Sequence, residues 1–112
     1  MNNRDYQIIK KILQEICVIE DMIQGFAMEM FLADEKTKRA VSMTLINIGE
    51  LVKNLTDELK SNYTNIHWKA ISGMRDIAAH KYQAMRMGDV WITLVSDIPY
   101  LKAELEKIIA DI

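Results

Sequence analysis

The sequence predicts an all-α protein, a bundle of four to five helices. Apolar residues recur at steps of three and four over most of the chain. Strand signals are missing: there is no sustained two-residue alternation and no Asn-Gly or Asp-Gly hairpin turn. The connections implied between the apolar stripes are short, as a bundle requires.

The first helix opens at Asn3, a residue type suited to capping, and its stripe is Ile9, Leu13, Ile16, Ile19 and Ile23. Gly25 ends or bends it. A short helical turn around Ala27 to Leu32 leads to Asp34, which caps a long second helix with Glu35 in its first turn. Glu35, Lys36, Lys38 and Arg39 read as the solvated start of that helix. Val41, Leu45, Ile48, Val52, Leu55 and Leu59 form its seam. Gly49 inside it costs about 1 kcal/mol against alanine, which predicts a close approach of another backbone.

Ser61 to Asn65 reads as a loop, and a third helix spans about His67 to His80, burying Ile71, Met74 and Ala78. Gly88 then supplies a turn and Asp89 an N-cap for the last helix. That helix is striped by Trp91, Val95, Ile98, Leu101, Leu105, Ile108 and Ile112. Pro99 should kink or restart it near Asp97, because proline removes a backbone donor.

At 112 residues the chain is expected to be one domain, residues 1–112, large enough for one core. The net charge of -2 gives no global electrostatic case for nucleic acid. The single cysteine, Cys17, allows no internal disulfide, and its apolar neighbours predict a buried, inert thiol. The polar opening and the lysines that follow do not read as a secretory signal, and no apolar stretch reaches the ~20 residues of a membrane span. A cytoplasmic protein is expected. The eight methionines are expected to fill the core, and Trp68 and Trp91 to anchor the core or a dimer, with base stacking by Trp68 the less common alternative.

Several chemistries are excluded. No glycine cluster can cradle a phosphate, and no Gly-x-Ser-x-Gly elbow carries a nucleophile. Two histidines and one cysteine without paired spacing make no zinc site, so neither a metal nor a cofactor is expected.

One segment stands apart. From His67 to Gly88 the chain has Lys69, Arg75, Lys81 and Arg86 against Asp76 alone, a local +3 that leaves -5 for the remainder. Phosphate binding needs such an island, although charge alone is more often just a solvated helix face. Lys69, Lys81 and Arg86 are the candidate RNA-contacting residues within it.

Arg75 and His80 lie five positions apart inside the island. RNA is cut by its own 2′-hydroxyl when a base takes that proton and a cation stabilises the crowded phosphorane. Histidine titrates in the range for that base, or for the acid that protonates the leaving 5′-oxygen. Arginine's fork matches phosphate oxygens and keeps its charge. Five residues of α-helix turn ~500°, which leaves the two positions about 140° apart. One copy unites them only if the helix ends before His80. A two-fold homodimer does so more readily, and two histidines in one cleft supply both a base and an acid.

Arg75, Asp76, His80 and Tyr82 form a pattern that resembles the HEPN superfamily, and within it the HepT-like toxin family. The flanks Phe31-Leu32-Ala33-Asp34, Ile48-Gly49-Glu50, Trp68 to Met74, Val90-Trp91 and Asp97-Ile98-Pro99 are similar as well, so the resemblance covers nearly the whole chain. It implies a homodimeric, all-helical, metal-independent endoribonuclease, the toxin of a toxin–antitoxin module. Arg75, Asp76 and His80 are then the catalytic candidates. The partner implied is a minimal nucleotidyltransferase antitoxin, which in at least some members transfers AMP onto the motif tyrosine, here Tyr82. Such an adduct puts charge and bulk beside Arg75.

Two positions depart from the pattern. Asparagine often follows the motif arginine where this chain has Asp76, a carboxylate able to pair with Arg75 and weaken its grip on phosphate. His67 stands where proline commonly precedes the tryptophan and reads as a surface residue at a helix start. Glu50 is either solvated or orients the site. The alternative to a nuclease is a catalytically inactive helical module that binds RNA or a nucleotidyltransferase.

Overall fold

Asn2 starts the first helix, α1 (Asn3–Ile23): its side chain accepts from the Asp5 N–H at 2.7 Å. The cap thus falls one residue earlier than the sequence suggested. In the computed structural model, residues 1–80 and 86–111 are described, residues 75–80 by their helical backbone alone. Ile9, Ile12, Ile16 and Ile19 form the fully buried stripe of α1, while Leu13 and Ile23 are only partly buried beside it. Each fully buried isoleucine contributes about 1.5–3 kcal/mol of transfer free energy. Gly25 ends the helix at φ 78°, a conformation closed to most side chains.

Helix α2 (Met28–Ala33) drives Phe31 into the core, where its ring lies 5.3 Å from that of Trp91. Asp34 then caps α3 (Glu35–Lys53), its side chain accepting from the Thr37 N–H at 3.1 Å. Glu35 receives Lys38 and Arg39 at 3.0 and 3.1 Å on the first turn, as its position predicts. Val41, Leu45, Ile48 and Val52 are buried along α3, and Gly49 with them.

The seam reads through a break. Instead of continuing to Leu59, α3 stops at Lys53, and Thr56 caps a separate short helix, α4 (Asp57–Asn62). The break is made from a distance. Asp5, only 1% exposed, accepts from the Thr56 backbone N–H at 3.1 Å and from its hydroxyl at 2.5 Å, and Arg4 donates to the Asn54 carbonyl at 2.9 Å. Leu55 and Leu59 remain buried, so the apolar pattern survives a change of helix. Part of the predicted loop from Ser61 is therefore helical.

Helix α5 (Trp68–His80) packs along α3, which also lies against α1. The last stretch is one helical rod with a wide turn in it: α6 (Met87–Ile92), a π turn over Thr93–Asp97, and α7 (Ile98–Ala110). Gly88 and Asp89 lie within the first turn of α6 rather than before it. Pro99 sits in the first turn of α7, just past the π turn, where its missing N–H interrupts the rod's backbone bonding, and the Ile98 N–H reaches back five residues to the Thr93 carbonyl. Val90, Leu94 and Ile98 are buried at steps of four while Val95 is 47% exposed, so Leu94 takes the place on the stripe predicted for Val95. Leu101, Leu105 and Ile108 complete the core, and Ile112 lies outside the described residues.

Four long helical stretches, two short helices and no strand among the described residues make this the expected all-α bundle. Two expectations about side chains fail. Cys17 is exposed, because it follows Ile16 and so stands off the buried stripe. No described methionine is buried: Met22, Met74 and Met87 pack at the core's edge, and Met28, Met30 and Met43 are exposed. No helix is long and apolar enough to cross a membrane.

Candidate active site

The start of α5 is held by the core. Trp68 is buried and its indole N–H donates to the Tyr63 carbonyl at 3.0 Å, with Ile66 buried beside it. The Tyr100 hydroxyl, from α7, donates to the Asn65 carbonyl at 3.2 Å and ties down the same connection. Trp68 is thus an anchor with little face left to stack on a base. Ile71 and Met74 are half-buried in the following turn.

From this anchor α5 runs without interruption through His80, which places Arg75, Asp76 and His80 in its C-terminal half. The side chains of these residues, and Lys81 and Tyr82 altogether, lie outside the described residues, as does the side chain of Ala78. The continuous helix nonetheless decides one question. It does not end before His80, so positions 75 and 80 stand about 140° apart around the axis and roughly 7.5 Å apart along it. Bending the helix end does not unite them within one copy.

The flanking cations are better placed for solvent than for the core. Lys69 is exposed on the first turn of α5, and Arg86 is exposed at the start of α6. Arg86 makes no capping hydrogen bond there, and a cation at a helix N-terminus gains nothing from the helix dipole. Its position is therefore not explained by helix stability. His67 is exposed, as its place before the helix suggests. Glu50 is half-buried on α3 and has an interaction partner.

Among the described residues no group of three His, Cys, Asp or Glu side chains is arranged to hold a metal ion. Lys102, at the α1–α7 contact, is raised above its ordinary pKa, first by its hydrogen bond to Glu20 and then by that carboxylate's charge. Sequence reasoning passed over the buried Asp5 and the Lys60 ammonium near the start of α5. The run Thr56-Asp57-Glu58, a capping residue followed by two acids, was a local signal for the start of α4.

A helical bundle that carries Arg75 and His80 of this motif on its fifth helix is a protein of the HEPN class. Within that superfamily the chain belongs to the ribonuclease HepT-like family, whose model matches residues 12–108. A relative from Thermococcus cleftensis, named "Probable ribonuclease HepT", is 35% identical over 107 residues, covering 96% of each chain. One from Caldanaerobacter subterraneus, named "Putative RNase TTE0752", is 34% identical over 101 residues and 90% of each chain. A third, "Putative RNase MJ1216" of Methanocaldococcus jannaschii, is 37% identical over 108 residues, 93% of this chain and 89% of its own. No solved structure matches the chain. The family and these relatives support an RNase function.

Proposed function

We propose that this chain is a metal-independent endoribonuclease, the toxin of a toxin–antitoxin module, acting in the cytoplasm as a homodimer. The observation that carries the reading is the Arg75–His80 pair on one unbroken helix of a HepT-like ribonuclease, inside the +3 segment of an otherwise acidic chain. One imidazole removes the 2′-hydroxyl proton, the 2′-oxygen attacks phosphorus, and the 5′-oxygen leaves with a proton from a second imidazole. Arg75 holds the negative charge that builds on the phosphorane. Asp76 sits next to it and tempers that cation. The products are a 2′,3′-cyclic phosphate and a 5′-hydroxyl.

Two observations support a second copy. The positions of Arg75 and His80 diverge around α5, so a partner's helix is the simplest way to bring an arginine and a histidine together. Exposed apolar side chains are also plentiful: Met28, Met30 and Leu32 on α2, Met43 on α3, and Ile92 and Val95 along the last rod. Patches of this kind are covered in assemblies more often than left in water. The antitoxin partner would be a nucleotidyltransferase that moves AMP from ATP to the Tyr82 oxygen with loss of pyrophosphate, placing an anion where RNA phosphate must bind.

The test is incubation of the protein with RNA in EDTA. Cleavage that leaves cyclic-phosphate ends, and that is lost in both His80→Ala and Arg75→Ala, is the expected result. Intact RNA that still binds would reduce the protein to a binding module.

A further inference from the structure

Two clefts at the start of α5 share a wall. A groove of about 310 Å³ lies between α5 and the last rod, lined by apolar side chains that include Ile71, Met74 and Leu101, and also by Asp97 of the π turn. Ile66, His67 and Ala70 line this groove and equally a more open cleft of about 580 Å³, to which Lys60 and Lys69 contribute and no carboxylate does. None of the Lys60, His67, Lys69 and Asp97 side chains has a hydrogen-bond or ion-pair partner among the described residues. The register continues toward the motif. His67, Ile71 and position 75 follow one another at steps of four, so the groove's stripe on α5 leads to the position of Arg75 one turn further, about 6 Å along the axis.

We infer that the two clefts form one accessory nucleotide subsite, with a base in the groove and a phosphate against Lys60 and Lys69. The inference rests on the ribonuclease reading for its ligand, a single strand of RNA. A base has flat apolar faces that gain by leaving water against Ile71, Met74 and Leu101, and its phosphate needs the cations next door. A second copy of this chain, with a net charge of only -2 and lysines of its own, offers the lysine cleft less than RNA, which carries an anion on every nucleotide next to a base for the groove, and charge complementarity therefore favours the polyanion. Asp97 sets the base preference. An ionised carboxylate only accepts hydrogen bonds. Guanine offers it two adjacent N–H donors, adenine and cytosine one amino group, and uracil an imino group flanked by carbonyls that repel it. The subsite selects guanine first and uracil last.

Binding is measured on the full-length His80→Ala protein in EDTA, so that cleavage plays no part. The probes are labelled RNA pentamers identical except for one guanine or uracil, followed by fluorescence anisotropy. Ala70→Trp, which fills the shared wall from an exposed position, should weaken the guanine pentamer tenfold or more. Lys60→Ala with Lys69→Ala should flatten the dependence of log K on log salt by about 1.4, the share of two single-strand phosphates. Asp97→Asn should abolish the preference for guanine over uracil. Parent-like binding in all three variants overturns the subsite, as does an Ala70→Trp protein whose only change is dissociation of a dimer. A protein that fails to cut RNA sinks the nuclease reading, while these binding curves decide the subsite separately.

Discussion

The Asp5 carboxylate holds Thr56 by two hydrogen bonds, to the backbone N–H at 3.1 Å and to the hydroxyl at 2.5 Å, across 51 positions of sequence. The same hydroxyl accepts from the Leu59 N–H at 3.2 Å and so caps α4. One buried acid therefore fixes where α3 gives way to α4, and with it the chain's path toward the anchor of α5.

Thr56→Val should accordingly be costly. It removes the cap, worth about 1 kcal/mol, and leaves a buried carboxylate short of a donor, worth about 1–3 kcal/mol. A loss of about 2 to 4 kcal/mol in urea unfolding is expected, with most of it restored in Thr56→Ser. A valine variant within 0.5 kcal/mol of the parent would show that the contact is incidental.

Much of this architecture was legible in the sequence, because helices announce themselves locally. Gly25, the Asp34 cap and the stripe from Val41 to Val52 are set by residues within a turn or two of where they act. What escaped was set elsewhere. The α3–α4 break depends on Asp5, and no periodicity in residues 41–59 contains it. The site divides the same way: Arg75, Asp76 and His80 are visible as a pattern, whereas the pairing of the Lys60 cleft with the Asp97 groove needs the packing of α5 on the last rod.

The buried face of the last rod makes a sharp prediction about neighbours. Leu94 lies on the buried face with Val90, Ile98 and Leu101 at 2% exposure, and Val95, one residue on, points away from it. Leu94→Ala should cost about 2–5 kcal/mol by opening a cavity, and Val95→Ala less than about 0.5 kcal/mol at protein concentrations too low for assembly. Equal costs, measured by chemical denaturation, would refute the register.

Lys102 predicts a pH dependence. Both Glu20 oxygens accept from its ammonium at 3.1 Å, joining α7 to α1, and the hydrogen bond raises its pKa above 10.5. The folded chain then holds this proton more tightly than the unfolded chain does. Stability from the pair is fully present below 10.5 and is lost as pH rises through the raised value. Lys102→Met should lower the urea midpoint slightly at neutral pH, by less in high salt, because the pair is exposed. Above the raised pKa its midpoint should meet the parent's. A gap that persists there would assign the change to packing of the lysine stem.

Mixing protomers tests the shared cleft. Because α5 is continuous through His80, a single copy keeps positions 75 and 80 on different sides of the helix, and the proposed chemistry uses one histidine from each copy as base and acid. A dimer containing one His80→Ala chain then lacks one of the two proton-transfer groups. If wild-type and His80→Ala chains are unfolded together, refolded and assayed on RNA, activity should follow the square of the wild-type fraction. An equal mixture should retain about a quarter of the unmixed activity. Two sites that each use a single histidine would instead give a linear decline and about half. The square law requires a histidine from each chain at the reacting phosphate, and a straight line would mean that one histidine per site is enough and would overturn the two-imidazole chemistry.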